Sequence, residues 1–230
     1  MTPPAIIELD NVTKGFWLHG TWRAVISGLS LSLPTGRALG LVGRNGAGKT
    51  TLLDLVAGTL RPDSGRIHRR GSVSFPVGFA AGFHRDLSGA QNIRFVARVY
   101  GVDSDALVAF VEDFAELGAQ FHAPLRSYSS GMRARLGFGA AMGLPFDLYL
   151  IDEATAVGDA QFRSKSRALF RARMRAAGGI MVSHNMAELR KFCDAGLMLD
   201  QGRLWYFDQI DEAIRAHEDM TRHAPAKAEG

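Results

Sequence analysis

The chain has little cysteine: Cys193 is the only one in 230 residues, so no internal disulfide can form. That fits a reducing compartment. It also lacks a long apolar run. The best candidate, "GFGAAMGLPFDLYLI", is broken by Pro145 and Asp147, so no segment reads as spanning a bilayer. The opening "MTPPAIIELD" has no basic leader and no apolar stretch of signal-peptide length, and Glu8 and Asp10 come early. No continuous Lys/Arg run stands out, which argues against a nucleic-acid patch. The net charge of +4 is a mild excess that suits a protein beside an acidic surface and equally a mixed solvated one. What remains is an ordinary globular composition, 47% hydrophobic and 22% charged, in a chain long enough to bury a core.

The pattern along the chain is mixed. "AIIELDNV", "AVISGLSLSL" and "ALGLVG" read as strands, with Gly15, Gly20, Pro34 and Gly36 as turn markers. A hairpin-like region follows at "DSGRIHRRGSVSF". From Ser88 to Leu144 apolar residues recur at three- and four-residue spacing, which predicts helices. Strands return at "FDLYLID", "GIMVSH" and "AGLMLDQGRLWYF", with a helix "FRSKSRALFRARMRA" between the first two, and residues 221–230 read as a loose tail. The order implies an α/β fold: an N-terminal β layer, a largely parallel sheet covered on both faces, and an inserted helical region. The expected division is one domain over 1–220, with a core of about 1–84 and 146–210 and a helical subdomain of about 85–145.

"GRNGAGKT", Gly43 to Thr50, matches G-x-x-x-x-G-K-[ST] at every fixed position, after an apolar strand and at the start of a helix. Gly43, Gly46 and Gly48 let the backbone curl so that its N–H groups, with those of Asn45 and Thr51, face a phosphate. The helix N-terminus adds positive potential. Lys49 reaches the terminal phosphates, and the Thr50 hydroxyl is placed for Mg²⁺.

"LYLIDE" delivers two carboxylates to the C-terminal end of a buried strand, the ligand edge of an α/β sheet. Asp152 is the expected Mg²⁺ holder, and Glu153 the residue that orients and polarises the attacking water. His184 follows the next strand, at the same edge, where a neutral imidazole could reach a γ-phosphate or the water. The other six histidines are read as structural.

"YSSGMRARL", Tyr128 to Leu136, has Ser129 suited to cap a helix running through Leu144. Taken in order with the phosphate loop, "LYLIDE", "ATAVGD" and "IMVSHN", it makes the chain resemble ABC transporter ATPase domains over about residues 5–210. That resemblance implies a P-loop NTPase fold of the ABC type, ATP and Mg²⁺, and ATP hydrolysis. It also implies a head-to-tail homodimer in which Ser129 and Gly131 of one copy cover the γ-phosphate held by the other. Asp159 matches the aspartate that contacts the partner copy, and Phe16, or its neighbour Trp17, falls where an aromatic stacks on adenine. An edge-strand aromatic packing on the sheet is the alternative for Phe16.

"VSFPVGFAAGFHRDLSGAQNIRFVARVYG" together with "YSSGMRARLGFG" is similar to polysaccharide-export ATPases, capsule exporters above O-antigen and teichoic acid exporters. The chain ends at 230 without room for an appended carbohydrate-recognition domain, which favours the capsule branch. The resemblance implies two permease chains, a site at the cytoplasmic face of the inner membrane, and leaves open a periplasmic or inner-membrane export adaptor. A soluble ABC ATPase of another role is the alternative; those usually carry coiled-coil arms or tandem domains. The departures are Met132 for the usual glutamine, Ser130 for the first glycine, and no glutamine between Lys49 and Gln91, where the family's Q-loop residue would fall. The apolar "FPVGFAAGF" in that place reads either as a surface for a partner helix or as buried strand and loop.

Overall fold

A computed structural model describes residues 5–75, 82–152 and 160–222. Two long strands open the chain, β1 (Ala5–Leu18) and β2 (Thr21–Pro34). They form one hairpin, closed at His19 and Gly20, both with positive φ (48° and 77°). Such a turn matches the right-handed twist of the strands it joins. The strands run past their sequence-predicted ends because 14–17 and 21–24 stay paired as a two-stranded ribbon. β4 (Ser64–Arg69) adds to the other edge of β1, giving the order β2-β1-β4. The segment read as a hairpin is therefore one strand of this layer, and Val73 beyond it bridges to Leu148 instead.

The second sheet runs β5-β6-β3-β7-β8. It comprises β3 (Ala38–Val42), β5 (Tyr149–Asp152), β6 (Gly179–Val182), β7 (Ala195–Asp200) and the antiparallel edge β8 (Arg203–Phe207). The first four pair in parallel, and their residues are mostly buried, as sheets covered on both faces require. Alternation sorts their side chains. Leu39, Leu41, Leu150, Ile180, Val182 and Leu197 point into one core with β1, β2 and helix α1 (Lys49–Ala57). Ala38, Val42, Tyr149, Ile151, Met181 and Met198 point into the other.

That second core continues through α5 (Ala160–Ala177) and α6 (Met186–Phe192) into the predicted helical region, where α2 (Gly89–Tyr100), α3 (Ser104–Ala115) and α4 (Ser130–Gly143) pack together. Gln91 is committed to a capping box with Ser88 at the start of α2, so the first glutamine after Lys49 has a structural task.

One element went unread in the sequence: α7 (Ile210–Arg222). It lies against β3 and β7 so closely that a methyl group at Gly196 would collide with Ala213 and one at Gly40 with Ile210. Arg190 pairs with Asp211 at 2.8 Å near its start. α7 runs to Arg222, so residues 221 and 222, read as the start of a loose tail, are helical.

Candidate nucleotide site

The site gathers at one edge of the parallel sheet, because each strand there releases its next residues in the same direction. The register puts Leu41 and Asp152 each opposite Val182, so the phosphate loop, the end of β5 and the loop holding His184 emerge together. In the loop, Gly46 (φ 77°) and Gly48 (φ 99°) are left-handed, as expected of its curl. Gly43 serves a different need from the one predicted. Its φ is not positive, but a side chain there would strike the Leu199 carbonyl. A methyl at Gly48 would also strike Val25.

Lys49 donates from Nζ to the Gly43 carbonyl at 2.8 Å and to the Arg44 carbonyl at 3.1 Å, which folds the ammonium over the loop. Burial pulls its pKa below the ordinary lysine value, and the Asp152 carboxylate opposes that shift. The Thr50 hydroxyl donates to Asp152 Oδ2 at 3.2 Å. A hydroxyl and a carboxylate held together are hard oxygen donors suited to Mg²⁺, which keeps most of its shell as water and phosphate oxygens. Among the described residues no group of three or more His, Cys, Asp or Glu could hold a metal by itself. Thr51 follows in α1.

Beside the loop opens a cleft of about 710 Å³. Its walls are the loop residues 43–47, including Asn45; His184; the turn at 200–202 between β7 and β8; residues 23–25 of β2; and His217 and Thr221 of α7. The sequence reading placed His184 and the loop here but missed the contribution of α7. The signal was present as apolar Ile210, Ala213 and Ile214 at helical spacing.

Phe16 does not line this cleft; it is 43% exposed on the hairpin, directly across from Arg23, which does. Trp17 is 74% exposed and pairs with Trp22, one step nearer the hairpin tip. Of the two aromatics, Phe16 is the nearer in register. Glu153 and Asp159 lie outside the described residues.

Ser129 caps α4 as predicted: its hydroxyl accepts from the Met132 N–H at 3.2 Å. Ser129, Ser130 and Gly131 are exposed, and none of them lines the cleft. Among the described residues, a methyl at Gly131 would meet only the Ser129 hydroxyl, at 3.9 Å, so no described neighbour requires glycine there.

Residues 26–156 match the sequence profile of the ABC transporter family. The polysialic acid transport ATP-binding protein KpsT of Escherichia coli is 42% identical over 91% of this chain and 95% of its own length. The capsule polysaccharide export ATP-binding protein CtrD of Neisseria meningitidis is 37% identical over 94% of this chain and 100% of its own. A dimeric ATP-binding cassette, solved in a post-hydrolysis state with ADP and phosphate, shares the fold with a TM-score of 0.73 at 18% identity, covering 89% of this chain and 98% of that one. With its phosphate loop, acidic strand end and histidine at one sheet edge, the chain belongs to the ABC transporter family, as one of its ATP-binding subunits.

Proposed function

We propose that this protein energises the export of a capsular polysaccharide across the inner membrane by hydrolysing ATP in a head-to-tail homodimer. The names of its relatives, one a polysialic acid transporter and one a capsule exporter, support the cargo class. The observation that carries the dimer is the exposed start of α4. Its first-turn N–H groups, apart from the Met132 N–H that Ser129 caps, have no acceptor within the helix, no described neighbour requires its glycine, and it stands apart from the cleft beside its own phosphate loop. A dipole-positive helix start of that kind takes an anion. The anion proposed is the γ-phosphate held by a second copy.

In that arrangement Gly43, Asn45, Gly46, Gly48 and Thr51 wrap the phosphate chain and Lys49 neutralises it. Thr50 and Asp152 would hold Mg²⁺, which when bound offsets charge on the phosphate oxygens. Glu153 orients the water and accepts its proton, and His184 donates to the γ-phosphate from the next loop. Ser129, Gly131 and Asp159 act from the partner copy, and Phe16 stacks on the adenine.

No helix among the described residues is long and apolar enough to cross a membrane. In this reading separate permease chains form the transport path. Phe95 (56% exposed) and Val99 (62% exposed), one turn apart on α2, are offered as the face that a permease helix covers.

The test is Glu153→Gln. It should bind ATP normally, release phosphate at background rate and accumulate as a dimer in light scattering. A fully active, monomeric Glu153→Gln protein is incompatible with the assignment.

A further inference from the structure

The face that docks α7 does not stop where the core stops. Ile210, Ala213 and Ile214 are buried against the sheet, and the same stripe continues at three- and four-residue steps to His217 and Thr221. Those two side chains line the cleft with the phosphate loop and His184. Gly196 lets Ala213 sit close against the sheet one turn before His217, which sets where α7 carries that residue.

His217 is chemically unusual in this position. Its Nδ1 is buried and has no hydrogen-bond partner. With Nδ1 enclosed and unpartnered, Nε2 is the ring nitrogen left to meet a ligand, and as N–H it is a donor. Burial pushes its pKa below the ordinary histidine value; the charges of Lys49 and Arg44 push the same way, while Glu218 and Asp200 oppose them. A donor in a field made positive by the phosphate-binding lysine is set to meet an anion, and the anion expected there is the one that Lys49 itself serves.

We propose that His217 is a nucleotide ligand: from α7 it donates Nε2–H to a phosphate oxygen of the nucleotide seated on the Gly43–Thr50 loop, making the C-terminal helix part of the binding site. Nucleotide binding then clamps α7, and movement of α7 changes affinity. The inference rests on nucleotide occupying the phosphate loop, and it adds a residue beyond the hydrolytic set.

Two measurements test it. In the wild-type chain, the His217 imidazole signal in NMR, identified by its loss in His217→Gln, should titrate below the ordinary histidine value. Its midpoint should rise when magnesium ADP or the magnesium complex of the β,γ-imido ATP analogue saturates the loop, because a phosphate stabilises the imidazolium. In parallel, His217→Phe should bind the tighter of these two nucleotides about tenfold more weakly. His217→Gln, which keeps a donor near Nε2, should stay within about threefold of wild type. A midpoint unmoved by saturating nucleotide, or affinity unchanged in both variants, overturns the proposal and leaves the hydrolytic assignment standing. Failure of wild-type protein to bind either nucleotide overturns both.

Discussion

Single residues in the loop are fixed by contacts as much as by conformation. Gly48 needs both a positive φ and the space that Val25 occupies, so Gly48→Ala has no inexpensive relaxation. At about 1–3 kcal/mol of backbone strain, nucleotide affinity should fall about ten- to a hundredfold in a binding titration, with far-ultraviolet circular dichroism unchanged. Asp147 shows a pH dependence at the same scale. Its carboxylate accepts from the Ser72 N–H and hydroxyl, both at 2.8 Å, and these bonds hold its pKa below the ordinary value of 3.8. A depressed carboxylate stabilises the fold above the unfolded value and loses that effect as pH falls toward the folded one. Asp147→Asn should therefore melt below wild type at about pH 6, and the gap should narrow as pH falls below 3.8.

Among elements, α4 and α7 show how far local pattern carries. The Ser129 cap was legible because a serine before an apolar-periodic run is a local signal. Its second role is separable from the first. Ser129→Ala should cost about 1 kcal/mol of stability through the lost cap, measured by denaturant unfolding. Ser129→Arg fills the anion site with a cation and should bring ATP turnover to background in a phosphate-release assay, while Met132→Gln should stay within about threefold of wild type. Robust turnover in Ser129→Arg would reduce the stretch to a cap. α7 was missed because its polar face, with Asp211, Glu212, Arg215, Glu218 and Asp219, dominates a short window. Its apolar stripe becomes significant only against Gly40 and Gly196, which are distant in sequence.

For the whole molecule, the family's coupling glutamine is absent from the loop, and the one candidate nearby, Gln91, caps α2. Residues 76–81 of the apolar "FPVGFAAGF" lie outside the described residues. On the permease face proposed above, the exposed Phe95 and Val99 would carry coupling through apolar contact. Phe95→Glu should leave the ATPase activity of the isolated subunit within about twofold, yet abolish co-purification of the integral membrane protein from membranes. Retained co-purification would remove α2 from the interface.

The sequence by itself determined the phosphate loop, the acidic strand end, the helical insertion and the order in which they come. Each is a local signal: a glycine spacing, a run of apolar residues closing on carboxylates, a period of 3.6. Only the tertiary structure decided that β4 joins β1 rather than folding on itself, that Gly43 answers to Leu199, and that α7 brings His217 to the cleft. Those depend on which distant residues share a face. Register and close backbone approach set that, and both depend on residues far apart in the chain.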